Sequence, residues 1–96
     1  MPRLTNHARE RIRLLAPVIG PGPMQALLNR LAAAPNRGDI AIVSALGFET
    51  NDPNRVQGSP CDHIAAIVRN GRIVSVMLTR ESQLTRQHFR VNIVLQ

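Results

Sequence analysis

The chain has no tryptophan, no tyrosine and no lysine, only two phenylalanines and a single cysteine. Each shortage excludes something. Without large aromatics the core must be aliphatic, and there are no stacking platforms of the kind that hold single-stranded nucleic acid. Any RNA would then be held through its phosphates and shape, with little base specificity. One cysteine, Cys61, cannot form a disulfide within the chain, and a reducing, cytoplasmic setting is the simplest expectation. No apolar run approaches the length that spans a membrane, and the Arg-rich start lacks the apolar stretch of a secretory signal. Three histidines and one cysteine show no zinc spacing, and "GPG" (20–22) is too short for a phosphate loop and does not follow a strand. No metal site and no cofactor is expected.

What is present is apolar bulk and arginine. Ninety-six residues, 44% of them hydrophobic, support one domain over 1–96 with a modest core. All twelve basic residues are arginine against six acidic ones, a formal charge of +6. Guanidinium is permanently charged and grips phosphate or carboxylate through two parallel hydrogen bonds. The balance points to RNA or another polyanion, or to an acidic protein, as partner. Homo-oligomerisation stays open.

The period of the apolar residues gives two helices and then strands. Thr5 or Asn6 caps a first helix with an apolar stripe at Ala8, Ile12 and Leu15, which Pro17 should end near Ala16. "PVIGPGP" (17–23) reads as a stiff connector, and a second helix is expected from about Met24 to Ala34. "DIAIVSAL" (39–46) is a strand apolar on both faces. In "IAAIVRNGRIVSVMLT" (64–79), Asn70-Gly71 between two Val/Ile runs specifies a two-residue type I′ hairpin. Its register places Val68 opposite Ile73, Ile67 opposite Val74, Ala65 opposite Val76 and Ile64 opposite Met77. "FRVNIVL" (89–95) alternates as a half-covered strand, with Phe89, Val91, Ile93 and Leu95 on one side. The expected fold is α+β: two N-terminal helices packed on one face of a roughly four-stranded antiparallel sheet. Between the strands, "GFETNDPNRVQGSPCDH" (47–63) reads as a long loop, either functional or a surface excursion, with a short strand around Arg55–Gln57 as an alternative.

Two stretches could carry chemistry. "LTNHARERIRLL" (4–15) sets His7 among arginines, with His7 and Arg11 on one helix face and Arg9 and Arg13 on a neighbouring one. Histidine titrates near neutral pH and arginine stabilises a phosphate, which suffices for metal-independent RNA cleavage. A solvated basic helix explains the same residues. "LTRESQLTRQHFR" (78–90) brings Arg80, Arg86, His88 and Arg90 around a connector in which Thr85 could cap one helical turn. Arg69 and Arg72 face each other across the hairpin turn. They mark either a nearby anion or two side chains splayed into water. In "CDH" (61–63) the thiol, carboxylate and imidazole are neighbours only in sequence, and Cys61 reads as a small buried residue.

"HARER" (7–11), "IVSVMLTR" (73–80) and "FRVNIV" (89–94), in this order of elements, resemble the RelE-like and BrnT-like toxins of toxin–antitoxin modules. They also resemble small prophage proteins that begin with a similar H-A-x-x-R helix. The resemblance implies two helices on a twisted antiparallel sheet and RNA cleavage without metal. Carried onto this chain, it implies His7, Arg11, Arg80 and His88 as catalytic groups. Such toxins usually open with a strand, for which only "PRLT" (2–5) is available. Arg9, Arg13, Arg86 and Arg90 are the candidate nucleic-acid contacts. Three functions therefore compete: a metal-independent ribonuclease toxin, whose acidic protein partner would be an antitoxin; a noncatalytic phage-encoded or host-interaction protein that docks on a host protein through its basic surface; and a nonspecific nucleic-acid-binding module.

Overall fold

The computed structural model describes residues 3–34, 38–53, 60–85 and 89–95. Its elements are β1 (Arg3–Leu4), α1 (Asn6–Ile19), α2 (Pro21–Ala32), β2 (Ile40–Thr50), β3 (Cys61–Arg69), β4 (Arg72–Thr79) and β5 (Asn92–Leu95), with a short 3₁₀ turn at Glu81–Gln83. The class is α+β. The sheet has five strands in the order β1-β4-β3-β2-β5 and is mixed, not a four-stranded antiparallel one. The β2–β3–β4 meander is antiparallel, and both edge strands run parallel to their neighbours. Each parallel edge requires a crossover. On one face α1 and α2 carry the chain from β1 to β2. The second crossover joins β4 to β5 through residues 80–91, about the dozen residues such a connection needs.

Each crossover covers one face of the sheet. Ala8, Leu15, Ile19, Met24, Leu27 and Leu31 from the helices pack on Ile42, Ile64, Ala66, Val68, Ile73, Val76 and Leu78. On the other face Ala41, Val43, Ala65 and Ile67 pack with Phe89 and Val91. This explains why the strands are apolar on both sides. The alternation of Phe89, Val91 and Ile93 is realised, although the strand itself begins only at Asn92.

Pro17 does not end α1. It lies exposed in the last turn, where the carbonyl it leaves unpaired can face water, and the helix runs on to Ile19. Pro21 opens α2, where its missing N–H costs nothing. Only Gly20 separates the helices, at φ 87°, so the expected connector is largely helical. The long loop is shorter than 47–63, because β2 continues to Thr50 and β3 begins at Cys61. The strand considered at Arg55–Gln57 lies outside the described residues.

The hairpin turn forms as expected. Asn70 and Gly71 have φ 52° and 72°, the two positive values a type I′ turn requires. Arg69 pairs with Arg72 and Val68 with Ile73, and then the register slips. Ile67 lies opposite Ser75, Ala65 opposite Met77 and Ile64 opposite Leu78, which corrects the expected Ile67–Val74, Ala65–Val76 and Ile64–Met77 pairs. Val74 is the extra residue of a β-bulge. The carbonyls there are taken up by Thr5: its N–H donates to Ile73 (3.1 Å), and its hydroxyl lies 3.1 Å from Ile73 O and 3.3 Å from Val74 O. The same hydroxyl accepts from the Ala8 N–H and caps α1. One threonine thus joins the edge strand, the bulge and the first helix.

Candidate functional site

Three arginines stand in one row of the sheet. The turn sets Arg69 opposite Arg72, and the parallel register of β1 sets Arg3 against Arg72 on the other side. Adjacent strands lie about 4.8 Å apart, so three guanidinium groups start from neighbouring positions. Ile73 and Leu4 face the helices, so Arg72 and Arg3 project from the opposite face, and Arg69 lines a cavity on that face. All three are exposed, and none has an ion-pair partner among the described residues. Asp39, beside the turn, accepts the Asn70 N–H at 3.0 Å. Like charges directly opposite in a sheet destabilise it, so this row attracts anions at some cost to folding.

The cavity beside the row measures about 320 Å³ and is walled by Ile67, Arg69, Val74, Ser75, Met77 and Phe89. The bulge builds it, because the extra residue lets Val74 and Ser75 face the same side in succession. Phe89 lines one side of this open cavity, and its N–H donates to the Thr85 carbonyl at 3.2 Å. A second cavity of about 510 Å³ lies between α2 and β2 against Asn29, Arg30, Ala33, Ala34, Ile40, Ile42 and Val94. There Arg30 donates to the Ser44 hydroxyl at 2.9 Å.

Of the expected catalytic residues, His7, Arg11 and Arg80 are not brought together. Arg11 is buried, 6% exposed, on the inward stripe Ala8, Arg11, Leu15 and Ile19. Its Nε donates to the Val76 carbonyl at 2.9 Å, and its Nη2 pairs with Asp52, which also accepts from Leu78 N–H at 3.4 Å. Its charge is therefore already engaged, and it pins α1 and the segment after β2 to β4. His7 is exposed two residues beyond Thr5, where α1 meets the start of β4. Arg80 follows the end of β4, six residues past Val74, roughly 20 Å along the strand. A single phosphate does not span His7 and Arg80. Of the expected nucleic-acid contacts, Arg9 is exposed on α1, and Arg13 is exposed and paired with Glu10. Arg90 is exposed next to Phe89, at φ 59°. His88 and Arg86 lie outside the described residues.

No family model, no curated protein and no solved structure matches this chain.

His63 pairs across the sheet with Thr79, the residue before Arg80. Its Nδ1 lies 2.7 Å from Asp62 Oδ1, a contact that favours the tautomer leaving Nε2 free as a base. This bond, aided by the imidazole charge and backbone N–H groups against a smaller opposing effect of burial, holds the Asp62 carboxyl below its usual range. Buried Thr79 donates to Gln83 Oε1 at 3.3 Å, and the Nε of half-buried Arg80 has no partner among the described residues. His63 and Thr79 are 16 positions apart in sequence, and only the hairpin register reveals them as neighbours. No cluster of three metal-ligating side chains occurs among the described residues. No helix there is long and apolar enough to cross a membrane.

Proposed function

We propose that the protein binds nucleic acid, with phosphates seated on Arg3, Arg72 and Arg69. The observation that carries this reading is the row itself: three exposed arginines in adjacent register, on separate strands, with no ion-pair partner among the described residues. A fold selected for stability alone has no use for like charges stacked this way. A phosphate backbone neutralises them and releases its counterions, which makes binding steeply dependent on salt. The test is fluorescence anisotropy with a labelled oligonucleotide against wild type and an Arg69→Gln, Arg72→Gln double variant. Weaker binding with a flatter salt dependence supports the reading. Unchanged affinity and slope place the polyanion site elsewhere.

A second reading, metal-independent RNA cleavage, keeps the chemistry of the toxin resemblance but moves the acid/base from His7 to His63. The bond from His63 to Asp62 favours this assignment. Loss of RNA cleavage in His63→Ala, with cleavage retained in His7→Ala, supports it. Clean wild-type protein that cuts no RNA removes it.

A further inference from the structure

We infer that the cavity beside the arginine row receives one unpaired base of a single strand whose phosphate sits on that row. This inference rests on the nucleic-acid reading above and deepens it. Arg69 belongs to both features, so the phosphate and the base of one nucleotide would meet the protein around one side chain. The cavity's volume, about 320 Å³, lies at the small end for ligand sites, suited to a single ring system. Its walls have the composition of such sites: apolar surface from Ile67, Val74, Met77 and Phe89, with a hydroxyl and a guanidinium for orientation. Phe89 is 6% exposed, so its ring is a wall and not an open platform, and the base enters as a wedge. A base paired in a duplex is stacked on both sides and cannot enter, so the site selects single strands. Arg69 only donates hydrogen bonds, which favours a base edge rich in acceptors, such as the carbonyls of uracil or thymine.

The proposal explains the bulge. Without the extra residue, Ser75 would follow Ile73 directly and stand alone on this face before Val76, and the cavity would lose its Val74 wall. It also adds a base contact to the expectation that RNA is held through its phosphates and shape with little base specificity.

The test compares a short labelled oligouridylate or oligothymidylate with an abasic strand of the same length and charge. Wild type is expected to bind the base-bearing strand about tenfold or more tightly. Ser75→Leu fills the cavity and should lower that affinity to the abasic level, leaving abasic binding and its salt dependence unchanged. Ser75→Val is the smaller variant, should Leu disturb folding. Equal wild-type affinity for base-bearing and abasic strands overturns the inference and leaves the phosphate row intact. Wild-type affinity for the base-bearing strand in a folded Ser75 variant overturns it too. Failure to bind either strand, with binding of polyglutamate, overturns both the inference and the nucleic-acid reading.

Discussion

At the scale of single residues, one charge pair buried among the described residues has a large role. Arg11 and Asp52 are both buried, and each has a second bond to β4. Removing one partner strands the other charge away from water. Asp52→Ala should cost about 3–5 kcal/mol of stability in urea unfolding, and Arg11→Met with Asp52→Leu should recover most of it. A loss below 1 kcal/mol would show that water reaches the guanidinium. Arg72 behaves in the opposite sense. Arg72→Gln relieves repulsion along the row and should raise low-salt stability by a few tenths of a kcal/mol while weakening polyanion binding. Asp62 gives a pH prediction. Its carboxyl titrates below its ordinary 3.8, so its contribution is complete above that value and is lost as pH falls through the lowered one. His63→Ala removes the principal cause, and an NMR titration should find the Asp62 midpoint moved back up toward 3.8.

At the scale of elements, the hairpin is where local sequence and global demand meet. Asn70-Gly71 specifies the turn because both central residues need positive φ. Gly71 is buried at φ 72°, so Gly71→Val should destabilise by about 1–2 kcal/mol or more, read from the thermal midpoint. The turn was readable in the sequence, and the bulge three residues later was not. It depends on Thr5, some seventy residues away, which satisfies the carbonyls at Ile73 and Val74. The two helices were readable for the same local reason as the turn. Their meeting at Gly20 was not, because proline excludes helix interiors but is tolerated in first turns and exposed last turns.

At the scale of the molecule, a charge of +6 attracts polyanions from any direction, but only part of that charge is arranged. Arg11 is internal, Arg13 is paired and Arg30 is engaged with Ser44, whereas Arg3, Arg69 and Arg72 converge. If those three carry a single strand, log K should fall with log salt with a slope of roughly −2, and Arg72→Gln should flatten it by about 0.7. A slope unaffected by Arg72→Gln would assign the dependence to dispersed charge.

The sequence by itself determined the α+β class, the two helices ahead of the β2–β3–β4 meander, the type I′ turn, the aliphatic core and the excess of arginine, but not the strand β1 that precedes the helices. Each follows from periodicity, turn chemistry or composition within a few residues. Only the tertiary structure decided the five-stranded mixed sheet, because which strand an edge joins depends on where a crossover lands. It also decided what each arginine does. Arg11 reads as one basic residue among others on a helix until Asp52, 41 residues later, reaches it in the interior. Arg3 has no visible relation to Arg72 until β1 pairs in parallel with β4. Charge is a local property of the chain, but whether a charge is spent inside, paired at the surface or held out for an anion depends on long-range pairing that no local pattern encodes.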